Sequence, residues 1–124
     1  MIADSRIDHT RRRITLVVGP TLELDELTAV ITEHANLGVW HYDVLFDQRA
    51  SSTVFSSDAV RTLVAHVQSL SRRHGRRGRL AIVPDDDAQY GMARMYSMLA
   101  ENAHDGCQVF RSFTNAEAWL DQTT

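Results

Sequence analysis

At 124 residues the chain has the length of one domain, 1–124, and at that size a globular protein buries enough surface for a self-sufficient core. Hydrophobic residues make up 44% and charged residues 23%, which excludes the apolar-poor, highly charged composition of a disordered segment. A net charge of -3 argues against wholesale adhesion to nucleic acid or to an anionic membrane surface.

In chain order, the β-branched run Arg13 to Val18 reads as a strand that ends at Gly19-Pro20. Ser5 to Asp8 is a candidate hairpin partner for it, turning through His9 to Arg12. From Thr21 the period becomes helical: Leu24, Leu27, Val30, Ile31 and His34 share one face, and Glu23, Asp25 and Glu26 put negative charge in the first turn. The helix stops near Asn36 to Gly38, and Val39 to Phe46 reads as the next strand. Asp47 to Ser57 is the longest irregular connection. Ser56 or Ser57 then caps a helix with the stripe Val60, Leu63, Val64, Val67 and Leu70, which Gly75 ends. Leu80 to Val83 is wholly apolar, as a parallel strand buried on both faces would be. One of Asp85, Asp86 and Asp87 caps a helix running to about Ala103. Asp105-Gly106 turns the chain into an interior strand, Cys107 to Phe113, and Thr114 with Glu117 matches a capping box for a last helix carrying Trp119 and Leu120. The order is βαβαβαβα with an additional first strand. This implies an α/β fold with right-handed crossovers, a mostly parallel mixed sheet and an N-terminal antiparallel hairpin.

The apolar strand followed by an acidic loop and YGMARMY, and then VFRSF followed by AEAWL, resembles the small bacterial STAS-like proteins of the SpoIIAA-like superfamily, built from successive βα units. The resemblance runs from about Arg13 to Asp121 and falls in the branch without an assigned activity. In the best-understood branch, the anti-sigma-factor antagonists, a serine at the start of the helix after a central strand is phosphorylated by a partner kinase. The matching position here is VFSSDAVRTL, so Ser56, Ser57 and Asp58, with Arg49 on the loop before them, are the candidate phospho-switch or partner-binding residues. The antagonists typically read Asp-Ser-Ser-Gly-Leu, whereas this chain has Phe55 before the serine pair and Asp58 after it. Asp58 would repel a neighbouring phosphate, and the ordinary reading of both serines is as helix N-caps.

Open parallel sheets present ligands at the carboxyl ends of their strands. That places Asp47, Gln48, Arg49, the Ser51 to Ser57 loop, Asp85 to Asp87 and Tyr90 on one rim, with Phe55, Gly91 and Arg94 beside them as a candidate ligand rim. The aspartates read as caps and dipole partners more readily than as metal ligands, so no metal or other cofactor is expected. Met92, Met95, Tyr96 and Leu99 form an apolar stripe of core type. Gly91 early in a helix implies close approach of a strand or a small molecule. The basic cluster Arg72, Arg73, His74, Arg76, Arg77 and Arg79 lacks an aromatic platform and sits at a helix C-terminus, where cations complement the dipole; nucleic acid is not an expected partner.

Cys107 is the only cysteine, so an internal disulfide is excluded, and no apolar run approaches the roughly 18 residues that span a bilayer. A cytoplasmic protein without membrane association is the simplest expectation. The six histidines are scattered, and none is paired locally with a nucleophile. The functional expectation is therefore a non-catalytic regulatory or protein-interaction domain, engaging a protein partner or a second copy of itself as a homodimer. Its rival is a small carrier or sensor of an apolar or amphipathic molecule, with Trp40, Tyr42, Phe55, Tyr90, Met92, Met95 and Tyr96 lining a pocket.

Overall fold

Strand alternation decides which side chains meet which layer. In the computed structural model, which describes residues 1–122, β1 (Ile2–Asp8) pairs antiparallel with β2 (Arg13–Val18). Then β3 (Asp43–Asp47), β4 (Leu80–Val83) and β5 (Cys107–Val109) add in parallel, so the sheet order is the chain order. The helices are α1 (Leu24–Asn36), α2 (Ser57–His74), α3 (Asp87–Leu99) and α4 (Phe113–Asp121), with a 3₁₀ turn at Glu101–Ala103. The fold class predicted from the pattern, α/β with an N-terminal hairpin, is the one observed.

Three right-handed crossovers that advance in one direction across a sheet lay their helices on one face. Accordingly Ile14, Leu16, Val18, Val44, Leu80 and Ile82 pack with the stripes of α1, α2 and α3 in one core. The alternate residues Leu45, Ala81 and Val83 pack on the other face against Ala116 and Leu120 of α4, with Phe110, Phe113 and Trp119 at the border. This two-sided burial is why β4 is apolar throughout. The arm of Arg79 locks α4 in place: it pairs with the Asp43 carboxylate at 2.7 Å and donates to the carbonyls of Trp119, Leu120 and Gln122. Those carbonyls lie at the end of α4, where the regular intrahelical donors run out.

Several predicted boundaries shift, each for a local reason. The first strand is longer than Ser5 to Asp8, and its turn is held by the Asp8 carboxylate, which accepts from the backbone N–H of Thr10 and Arg11. Val39 to Tyr42 is not strand. Val39 and Trp40 are buried as anchors of a turn, in which the Trp40 indole donates to the Gly75 carbonyl at 2.8 Å. That turn lies against Gly78, where an added Cβ would fall 2.4 Å from the Tyr42 carbonyl oxygen. Helix α3 ends at Leu99 rather than near Ala103. The last strand is short and lies at the sheet edge, so Cys107 does not begin an interior strand; burial still pushes its thiol up to about 12, which keeps it protonated. The Thr114 and Glu117 capping box does not form, because Ser112 caps α4 by accepting from the Asn115 N–H. No helix among the described residues is long and apolar enough to cross a membrane.

Candidate functional site: an apolar cavity with a buried arginine

The parallel register carries β3 and β4 side by side from Val44 and Leu80 at their amino ends to Phe46 and Ile82 near their carboxyl ends. Between these strands and the three-helix layer lies a cavity of about 80 Å³. Its walls are mostly apolar, from Leu16, Ile31, Leu63, Ile82 and Met92 among others. At the carboxyl-end rim the lining includes the half-buried Thr53 and Phe55 and the buried Gln48 and Gln89. At the opposite end it includes Arg77, Tyr96 and His104.

The rim is held by one amide. Gln89 Nε2 donates to the carbonyls of Ser51 and Thr53 at 2.8 and 3.0 Å, while its Oε1 accepts from the Asp85 N–H at 2.7 Å. A single buried side chain thus ties the 51–57 loop to the start of α3. Asp86 caps α3 by accepting from the Gln89 N–H, and Asp87 pairs with Arg111 at 2.8 Å. Arg111 in turn lies over the ring of Tyr90, 4.1 Å from its centroid.

The polar end has the opposite character. Arg77 is only 3% exposed, and no carboxylate pairs with it among the described residues. A guanidinium carries five N–H donors and no acceptor. Among the described residues its one side-chain hydrogen bond runs from Nη2 to His34 Nδ1, and Nε is buried without a partner. The Arg77 guanidinium also lies 5.0 Å from the centroid of the Trp40 ring. Because an arginine can only donate, His34 accepts at Nδ1 and carries its proton on Nε2, which is likewise buried and unpartnered. On the other side His104 Nδ1 lies 3.3 Å from the Gly78 carbonyl and donates to it, so Nε2 accepts from the Tyr96 hydroxyl at 2.8 Å. Burial, and then the Arg77 charge, hold His34 and His104 down at about 4, so both are neutral near pH 7. Desolvation draws the Arg77 guanidinium itself down to about 10. The cluster is rich in donors and poor in acceptors.

The residues singled out by sequence are distributed differently from the pocket expected of them. Asp47 and Arg49 close on each other: Arg49 Nε and Nη2 each reach the Asp47 carboxylate at 2.9 Å, and the guanidinium covers the Phe113 ring. That bidentate pair holds the Asp47 carboxyl below the usual carboxylate range despite its burial. Ser56 accepts from the Ala59 N–H as the N-cap of α2, and Ser57 and Asp58 are exposed beside it. Asp85 and Arg94 are exposed at the surface. No group of three or more His, Cys, Asp or Glu side chains is gathered to hold a metal ion among the described residues.

Of the expected pocket residues, Phe55, Met92 and Tyr96 line the cavity, whereas Trp40, Tyr42, Tyr90 and Met95 do not. Tyr42 instead bonds to His9 through its hydroxyl, and Trp40 backs Arg77 from outside the cavity. No neighbouring strand approaches Gly91, since a Cβ there would meet no protein atom within 4 Å. Sequence reasoning missed Gln89, Arg77 and His104. Comparison with protein-family models, with curated proteins and with solved structures returns no match for this chain.

Proposed function

We propose that this chain is a non-catalytic, STAS-like regulatory domain that holds a small amphipathic molecule in the cavity between its sheet and its three-helix layer. The observation that carries this reading is the cavity itself, apolar along its walls and ending at a buried cation that has no carboxylate partner among the described residues. A core serving packing alone is normally filled to crystal density, with few voids larger than a water molecule. By the measure that one water needs about 10–15 Å³ of such space, this cavity takes roughly five to eight non-hydrogen atoms. The Ser51 to Ser57 loop lies over the mouth through Gln89, so occupancy of the cavity would change the surface offered to a protein partner there.

Native mass spectrometry of freshly purified protein tests the reading first, by looking for a co-purifying small molecule. A thermal-unfolding series with four- to eight-carbon alcohols, amides and acids tests it independently. A ligand present at about a hundred times its Kd stabilises by about 2.7 kcal/mol, equivalent to about 10 °C for a domain of this size. Phe55→Trp, which adds bulk at the mouth, is expected to remove that response. A flat series for the unmodified protein, together with a bare mass, sinks the proposal.

A further inference from the structure

We infer that Arg77 is the anchor for the carboxylate of a short-chain monocarboxylic acid, whose apolar tail runs from Arg77 toward Phe55. This rests on the reading of the cavity as a ligand site and adds to it the ligand's charge, head group and size. Two observations bear on the head group. Arg77, which lines the cavity, is buried with a single side-chain hydrogen bond for its five donors among the described residues, and its Nε has no partner. Among the described residues the other neighbours supply no anion: His104 Nε2 is occupied by the Tyr96 hydroxyl, and each aspartate paired to an arginine is paired to one other than Arg77. A carboxylate is acceptor-only and matches the planar fork of a guanidinium through two parallel bonds.

The remaining observations limit the class. One buried guanidinium offsets one negative charge, so a dianionic phosphate would leave a second charge uncompensated in a low-dielectric site. The apolar walls ask for a hydrocarbon tail rather than a polyhydroxylated one. The volume of about 80 Å³ matches an acid of about four to six carbons, not a long-chain fatty acid.

The test titrates the full chain at pH 7 with hexanoate, hexanamide, butyrate and inorganic phosphate by calorimetry, alongside the Arg77→Met and Arg77→Lys variants. Hexanoate is expected to bind about 10- to 100-fold more tightly than hexanamide, the difference that a charge-assisted hydrogen-bond pair makes. Phosphate is expected not to compete. Arg77→Met should bring hexanoate down to the level of hexanamide, and Arg77→Lys should fall between. Should either variant fail to fold, the comparison of acid with amide stands on the unmodified protein. Nitrogen-15 labelling of its arginines then follows the Arg77 Nε–H resonance, which must move on addition of hexanoate and stay still with hexanamide.

Equal affinity for acid and amide overturns the anchor and leaves the cavity reading intact, whereas no binding of either overturns the anchor, and the cavity reading falls with it when the alcohol series is also flat and the native mass is bare. A preference for the acid that survives in a folded Arg77→Met variant places the anion elsewhere and also refutes the assignment. Competition by phosphate refutes the monocarboxylate class.

Discussion

Acid should weaken this fold well above the pH at which its carboxylates titrate, because two neutral histidines are buried beside Arg77. His34 and His104 are 1% and 2% exposed, and both are held near 4 against an ordinary 6.5, first by desolvation and then by the guanidinium. A depressed histidine is neutral in the folded chain while its unfolded counterpart takes up a proton, so the stability it contributes is present above pH 6.5 and is lost as pH falls toward 4. The slope approaches about 1.4 kcal/mol per pH unit for each histidine inside that window, so two of them remove about 4 kcal/mol between pH 7 and pH 5. That is a large part of the 5–15 kcal/mol typical of a domain. Urea unfolding followed by tryptophan fluorescence at pH 7, 6 and 5 measures it directly. His104→Gln, which keeps a polar side chain at the site, should remove about half of the slope. A midpoint that does not move between pH 7 and pH 5, or a slope unchanged in His104→Gln, would refute the protonation argument.

Two glycines should respond in opposite senses to alanine. At Gly78 the new Cβ would overlap the backbone carbonyls of His41 and Tyr42, which cannot move without displacing the Trp40 turn, so Gly78→Ala is expected to cost about 3 kcal/mol or more in urea unfolding. Gly91→Ala meets open space within a helix and should stabilise by about 0.5–1 kcal/mol; a loss there would show that something does approach this position. Ser56→Ala removes the N-cap of α2 and should cost about 1 kcal/mol, while Ser57→Ala stays near neutral. The reverse order would assign the cap to the wrong serine.

The distribution of what could be read from sequence follows from the range of the interactions involved. Helix stripes such as Val60, Leu63, Val64, Val67 and Leu70, and the apolar run of β4, are local periodicities, and the fold class rests on them. The strand ends were harder because Val39 and Trp40 carry strand-like chemistry while serving a turn, a role set by the distant carbonyl of Gly75. Arg77 was the least legible. It sits among Arg72, Arg73, His74 and Arg76, which are exposed, and nothing in that run distinguishes the one that turns inward. Strict alternation back from Leu80 and Ile82 would put residue 78, not 77, on the inner face. The chain breaks that alternation where Gly78 passes the 41–42 backbone, and it pairs Arg77 with His104 in an isolated bridge. Gln89 escaped notice for a similar reason, since its three partners lie in the 51–53 loop and at Asp85.

The identity of sheet order and chain order bears on how the molecule is made. Each βα unit finds its docking edge already built by the units before it, so none has to wait for a later strand to be inserted between earlier ones. Loop-closure entropy is met in small instalments, which favours rapid folding for a sheet of this kind. A chain leaving the ribosome can therefore assemble from the hairpin onward, N-terminal units first. The outer face is the last to close. Until α4 arrives, Leu45, Ala81 and Val83 remain uncovered and Arg79 has none of the α4 carbonyls to bind, so a nascent chain halted before residue 113 would expose an apolar strip that the finished protein hides.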